Sequence, residues 1–185
     1  KKQKIIKNIK SLDIPVFKLP SFDDLKKIDL NNPKTEVELN ELLGRIPTKS
    51  DPSLIKNSIF KKVCCVTGAG GSIGSELVKQ IIKFSPKKLI LIELNEYALY
   101  SINQSIANDS KENIEVISLL GDTSNLNFIN KVFRDHKIDI VFHAAAYKHV
   151  PLVESNPNQG IYNNVISTHI LCEESFKANV ERFIF

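Results

Sequence analysis

The residues with the clearest chemical potential lie between Lys61 and Ile81, in the stretch KKVCCVTGAGGSIGSELVKQI. Four of the chain's seven glycines, Gly68, Gly70, Gly71 and Gly74, fall within seven positions there. They directly follow an apolar run and directly precede apolar residues at helical spacing. A flexible linker would explain glycines alone. A strand before and a helix after them point instead to a loop that lets a ligand reach the backbone. Gly68 can turn the chain sharply. Gly71 presents no side chain to an incoming pyrophosphate, and Gly74 lets the helix approach the strand. Unpaired N–H groups at the helix start then face an anion, and the aligned peptide dipoles favour negative charge there. The spacing is Gly-x-x-Gly-x-x-Gly rather than the more familiar G-x-G-x-x-G, so the flanking elements carry the reading.

Three later positions extend the same chemistry. Glu93 ends a second apolar run about twenty residues beyond the glycines, where an acidic residue accepts the ribose hydroxyls of an adenosine. A carboxylate there repels a 2′-phosphate, which favours NAD over NADP; the alternative is a carboxylate merely solvated at a strand end. Asp122, after a third run, either accepts from an adenine amino group or serves an ordinary turn. The fourth run ends in HAAAYKHVP. Ala144, Ala145 and Ala146 leave room for a flat ligand against the backbone, or for a closely packed helix. Lys148 follows in a loop, where it can pair with a phosphate or stay solvated. His143 and His149 lack a third partner at metal-ligand spacing and are read as hydrogen-bonding residues. Tyr147 lies too early for a catalytic tyrosine and is read as a loop aromatic covering the cofactor.

These residues need a scaffold that brings the ends of several strands together. From Lys61 onward, apolar runs rich in β-branched residues alternate with segments of helical periodicity. The predicted strands are KVCCVT, KKLILIEL, IEVISLLGD, IDIVFHAAA and ERFIF. The predicted helices are SIGSELVKQIIKF, NEYALYSINQSIAN, NLNFINKVFRDH and NQGIYNNVISTHILCEESFKAN. That alternation implies an α/β fold: a doubly wound parallel sheet, the NAD-binding half of a Rossmann-type domain. Its ligand belongs in the crevice beyond the carboxyl ends of the strands. Residues 61–185 are assigned to this domain and residues 36–60 to a connector, in which ELNELLGRIP suggests a short helix ended by Gly44 and Pro47. Residues 1–35 read as the tail of an upstream α/β domain, with a helix over Lys2–Ser11 and a strand in IPVFKL.

Composition narrows the function class. The formal net charge of +4 is too mild to imply nucleic acid, and the 42% hydrophobic and 25% charged residues are typical of a globular domain. No apolar run reaches bilayer-spanning length. The lysines at 1, 2, 4, 7 and 10 suit a solvated helix face. The three cysteines, Cys64, Cys65 and Cys172, are expected to be buried reduced thiols, which suits a cytoplasmic location. The chain has no methionine and stops on the strand-like ERFIF. The expectation is therefore a piece of a longer protein, with the sheet truncated at its C-terminal end.

The segments TGAGGSIGSEL, EYALY, GD, FHAAAYKHVPLVESNP and NNVISTHI together resemble the extended short-chain dehydrogenase/reductases of the polysaccharide-biosynthesis type. Within these they resemble the membrane-associated UDP-N-acetylglucosamine (UDP-HexNAc) 4,6-dehydratases. The resemblance is good over about residues 36–185 and looser over 1–35. It implies that Gly68, Gly71, Ser72, Ile73 and Gly74 line a pyrophosphate, Glu93 holds the ribose, and Asp122 with Thr123 meets the adenine. It implies that Ala144 to Ala146 border the cofactor, that Lys148 touches cofactor and substrate, and that Asn164 serves the substrate side from the long helix. Where the family has Asn-x-x-Gly-Thr in that helix, this chain has Ser167 in place of the glycine. The implied reaction removes hydride from C4 of a UDP-sugar, abstracts the C5 proton, expels water from C6 and returns hydride to C6. The catalytic residues are expected downstream of Phe185. The resemblance further implies a homo-oligomer and leaves room for a membrane anchor ahead of the chain, at the cytoplasmic face of the inner membrane. Two rivals share these motifs: a UDP-sugar epimerase on the same scaffold, and a non-catalytic module that senses NAD.

Overall fold

The computed structural model describes residues 17–18, 35–36, 51–109 and 114–185. The chain divides into two compact units, Lys1–Ser50 and Asp51–Phe185. In the first, β1 (Phe17–Lys18) pairs antiparallel with β2 (Thr35–Glu36). The expected helices over Lys2–Ser11 and in ELNELLGRIP lie outside the described residues.

The second unit is a five-stranded parallel sheet in the order β5-β4-β3-β6-β7. Its strands are β3 (Val63–Thr67), β4 (Lys88–Glu93), β5 (Glu115–Leu120), β6 (Ile140–His143) and β7 (Arg182–Ile184). Every residue of β3 is buried, as expected for a central strand covered on both faces. Side chains alternate between two cores. Cys64, Val66, Leu89 and Leu91 pack with Val78, Ile81, Leu99 and Ile102, which lie on α2 (Ser72–Ile82) and α3 (Glu96–Asp109). Cys65, Ile90, Ile92 and Val141 pack with Ile129, Val132 and Leu171, which lie on α4 (Leu126–His136) and α7 (Ser167–Lys177). The chain steps outward from β3 to β5, then returns to place β6 on the other side of β3. Strand order therefore reverses between β3 and β6, and that reversal opens a crevice at the carboxyl ends of both.

Local signals explain the helix boundaries. Asp51 caps α1 (Pro52–Ile59) by accepting from the Ser53 amide at 2.8 Å, with Pro52 at the first helical position. Asn125 caps α4 through the Phe128 amide at 3.1 Å, and Lys137 ends that helix in the left-handed region. Asn95 accepts from the Ala98 amide at the start of α3. The helix α2 differs: Gly71 stands at its cap position and no side chain satisfies its first turn.

Four expectations change. Residues 52–59 form a helix within what reads as connector. The segment expected to run as loop after HAAAYKH forms a short helix, α5 (Val150–Ser155), with Pro151 in its first turn. The long last helix is not uniform: α6 (Pro157–Gly160) passes through a π-helical stretch, Ile161–Ile166, into α7. Cys172 is exposed on α7, whereas Cys64 and Cys65 are buried free thiols that burial pushes up to about 12. An apolar neighbourhood in sequence does not bury a residue on the outward side of an edge helix. Among the described residues no helix is long and apolar enough to cross a membrane.

Candidate functional site

The glycine loop borders the crevice between β3 and β6. Gly68 has φ +64, a conformation that side-chain-bearing residues rarely adopt, and a Cβ there would sit 2.8 Å from the Ala145 backbone. Gly74 is buried, and a Cβ on it would come within 2.0 Å of the Gly68 carbonyl oxygen. That absence lets α2 start directly behind the loop. Gly71 is exposed, and its added Cβ would meet only the Gly68 oxygen, at 3.2 Å. Gly68 and Gly74 thus shape the loop, while Gly71 presents open backbone to the crevice.

Two adjoining clefts flank Gly71. The first, of about 340 Å³, is bordered by Gly68, Glu93, Asp122, Thr123 and all three alanines. The second, of about 550 Å³, is bordered by Ser72, Ile73, Ala144, Ala146, Tyr147 and Lys148, and by residues of the helices that follow. Gly71, Ala144, Ala146 and Tyr147 border both. The sequence-derived positions from four strand ends therefore converge on one continuous groove. Gly74 lies behind it. Asn164 borders neither cleft: its amide donates to the Tyr147 carbonyl at 3.0 Å and its oxygen accepts from the Tyr147 N–H at 2.8 Å.

Glu93 does more than end its strand. One carboxylate oxygen accepts from the Leu94 and Asn95 amides at 2.9 and 3.0 Å, and the other accepts from the Gly70 amide at 3.0 Å. The side chain thereby ties the glycine loop to the end of β4. Oε1 is saturated by two donors, and Oε2 keeps one lone pair for a further donor. Asp122 accepts from the Ser124 amide at 2.7 Å, which fixes the turn carrying buried Thr123.

The groove is built from small residues and backbone with few charges. Lys148 is exposed beside the larger cleft and has no ion pair among the described residues. His143 ends β6, where burial holds its imidazole below the usual histidine range. Among the described residues no cluster of His, Cys, Asp or Glu is arranged to hold a metal. Residues that sequence reasoning did not single out also border the groove: Leu94, Asn95 and Asn163 on one side, and Leu152, Val153 and Gln159 on the other. Leu152 and Val153 come from α5, which the sequence pattern concealed, and Gln159 lies at the start of the expected long helix.

The chain matches the family model described as polysaccharide biosynthesis protein over residues 64–185. It is 39% identical over 173 residues to the capsular polysaccharide biosynthesis protein CapD of Staphylococcus aureus, covering 92% of this chain and 29% of that protein. It is 29% identical over 128 residues to the inverting UDP-N-acetylglucosamine 4,6-dehydratase of Campylobacter jejuni, covering 67% of this chain and 35% of that protein. The chain thus spans about a third of these relatives. Among solved structures, the dTDP-glucose 4,6-dehydratase DesIV of Streptomyces venezuelae, with NAD and TYD bound, aligns with a TM-score of 0.57 at 23% identity. That alignment covers 65% of this chain and 38% of that one, and shows a shared fold. UDP-sugar 4-epimerases share the same fold. On the family match, the chain belongs to the polysaccharide biosynthesis protein family that its motifs resemble.

Proposed function

We propose that the two joined clefts hold NAD, and that the chain is the cofactor-binding part of a nucleotide-sugar 4,6-dehydratase acting on a UDP-N-acetylhexosamine. The observation that carries this reading is the uncapped first turn of α2 behind Gly71, opening on a groove with Glu93 on one side and Lys148 on the other. An elongated ligand with an anionic middle fits that arrangement. Its pyrophosphate would lie over Gly71, Ser72 and Ile73, where helix N–H groups lack partners and a side chain at Gly71 would intrude. The adenosine end would occupy the smaller cleft, the remaining lone pair of Glu93 accepting one ribose hydroxyl and Asp122 with Thr123 bordering the base. The nicotinamide end would lie over Ala144 and Ala146 in the larger cleft.

When bound, NAD supplies a hydride acceptor and donor, which in a 4,6-dehydration serves C4 and then C6 of the sugar. The chain's own residues bind and orient. Ile73, Leu152 and Val153 line the larger cleft with an apolar wall against which the nicotinamide would lie. Lys148 provides a positive charge at the rim for a phosphate of cofactor or substrate. The acid–base residues for the C5 proton and the C6 hydroxyl would follow β7, whose carboxyl end opens on the same side of the parallel sheet. The relatives' names support a nucleotide sugar, and the Campylobacter enzyme's name supports the UDP-N-acetylhexosamine.

The test uses the complete protein with UDP-N-acetylglucosamine, followed by product analysis. A 4-keto-6-deoxy product supports the proposal. A C4 epimer would assign the chain to an epimerase built on the same clefts. Binding of NAD without any turnover would favour the sensing module.

A further inference from the structure

We propose that His143 is a positioning residue: through Nε2 it pins the root of the Ala144–Ala146 segment to Thr168, while Asn164 pins the far end, so that one helical face clamps the floor shared by both clefts.

The geometry is a closed circuit. The three alanines lie between His143 and Tyr147. At the near end, His143 Nδ1 stands 2.7 Å from the Thr67 hydroxyl and Nε2 stands 2.8 Å from the Thr168 hydroxyl. At the far end, the Asn164 amide takes both backbone groups of Tyr147, at 2.8 and 3.0 Å. Asn164 and Thr168 are four residues apart, which stacks them on one face of the helix. The Thr168 hydroxyl donates to the Asn164 carbonyl at 2.7 Å, and this bond joins the two ends of the clamp.

Counting hydrogens fixes the imidazole's role. A threonine hydroxyl has one hydrogen, and that of Thr168 goes to Asn164. Its oxygen therefore accepts from Nε2–H, and Nδ1 is left to accept from Thr67. A doubly protonated ring would donate to both oxygens and leave the hydrogen of the buried Thr67 hydroxyl without its acceptor, so the neutral imidazole with its proton on Nε2 fits both partners. The surroundings keep it neutral: Phe183 of β7 lies with its ring centroid 6.1 Å away, and the recorded polar contacts of the ring are the two hydroxyls. Thr67 directly precedes Gly68, so the same imidazole also joins the root of the glycine loop to the alanine floor.

The experiment separates the two ring nitrogens. The amide nitrogen of glutamine can stand where Nε2 does, and the amide of asparagine where Nδ1 does. Full-chain variants His143→Gln, His143→Asn, Thr168→Val and Thr168→Ser are compared by hydrogen exchange of the free protein over residues 144–148. NAD affinity is measured alongside. The clamp predicts roughly tenfold faster exchange in His143→Asn and Thr168→Val at the Ala144 and Tyr147 amides, which donate to the Thr67 carbonyl and to Asn164, the loss expected from weakening the clamp by one hydrogen bond. Rates near wild type are expected in His143→Gln and Thr168→Ser. NAD affinity should fall in the same two variants, by about five- to tenfold. Exchange that is unchanged in Thr168→Val, or changed equally by glutamine and asparagine, overturns the proposal. Thr168 is half-buried, so the valine and serine pair keeps the test alive if the histidine variants fold poorly. The affinity arm rests on the NAD reading above, whereas the exchange arm does not. A wild type that ignores NAD yet shows the exchange pattern would sink the reading and keep the clamp.

Discussion

The two ends of the parallel sheet solve opposite problems. At the amino ends of the strands, charge is paired with charge or with backbone. Lys62 meets Glu181, Lys177 meets the nearly buried Glu174 at 2.7 Å, and Asp139 accepts from the Val63 amide at 2.7 Å. At the carboxyl ends two such groups are left open beside the groove. The first turn of α2 has no cap, Lys148 has no ion pair among the described residues, and the floor is alanine and glycine. Paired charges at the amino end hold the fold, whereas the first turn of α2 and Lys148 at the carboxyl end are left open. Substitutions at the two ends should therefore separate stability from binding.

The sharpest contrast lies inside the glycine loop. Gly74→Ala would force a methyl to within 2.0 Å of the Gly68 carbonyl, a backbone atom that cannot step aside without moving the loop. A loss of about 3 kcal/mol or more is expected in denaturant unfolding. Gly71→Val, three residues earlier, borders the groove and should cost no more than about 1 kcal/mol, the penalty of a poorer helix cap. Equal destabilisation by the two would erase the distinction between shaping and presenting glycines.

Glu93→Gln tests the charge at the carboxyl end. The amide keeps an acceptor for Gly70 or for Leu94 and Asn95, but loses the negative charge that on the proposed reading would face a 2′-phosphate. The preference for NAD over NADP should shrink by about tenfold, equivalent to roughly 1.4 kcal/mol, in paired titrations. An unchanged ratio would mean that Glu93 serves only to brace the loop.

At the opposite end, Asp139→Ala removes a charge-assisted hydrogen bond to the start of β3. It should lower stability by about 1–3 kcal/mol while cofactor affinity stays at the wild-type value. A parallel loss of affinity would show that the two ends are coupled.

The smallest effect concerns pH. The folded pKa of His143 lies below the ordinary 6.5, because burial disfavours the charged ring. The unfolded chain therefore binds the proton first. The stability contributed by the neutral imidazole is complete above 6.5 and is lost as pH falls from there through the lower folded value. Unfolding free energies measured across that window should fall less steeply in His143→Gln than in wild type. Identical slopes would contradict the burial of the ring.

Much of this architecture is legible in the residues themselves. Cys64 to Thr67 and Leu89 to Ile92 are continuous apolar runs, and such runs have few places to go except the middle of a parallel sheet. The glycine spacing and Glu93 announce a groove because a strand precedes each of them. Other features depend on contacts that no local pattern encodes. Glu93 reads as a ribose acceptor, yet its bond to Gly70 exists only once β3 and β4 are side by side. The helix of residues 150–155 has no buried residue, so it leaves no periodic stripe. Its cap is His149, not one of the usual capping residues. The helix at 52–59 was signalled by Asp51-Pro52, a cap followed by proline, but the surrounding polar composition masked it. Ala144 to Ala146 continue the composition of a strand, yet they leave the sheet where β3 itself ends at Thr67.

The central claim is that backbone at Gly71 meets an anionic dinucleotide. Calorimetric titration of wild type and Gly71→Val with NAD, with circular dichroism recorded on both, tests it most directly. The account predicts one-site binding by wild type and none by Gly71→Val, with superimposable spectra and cooperative melting in both. Normal NAD binding by Gly71→Val, or none by wild type, would contradict it.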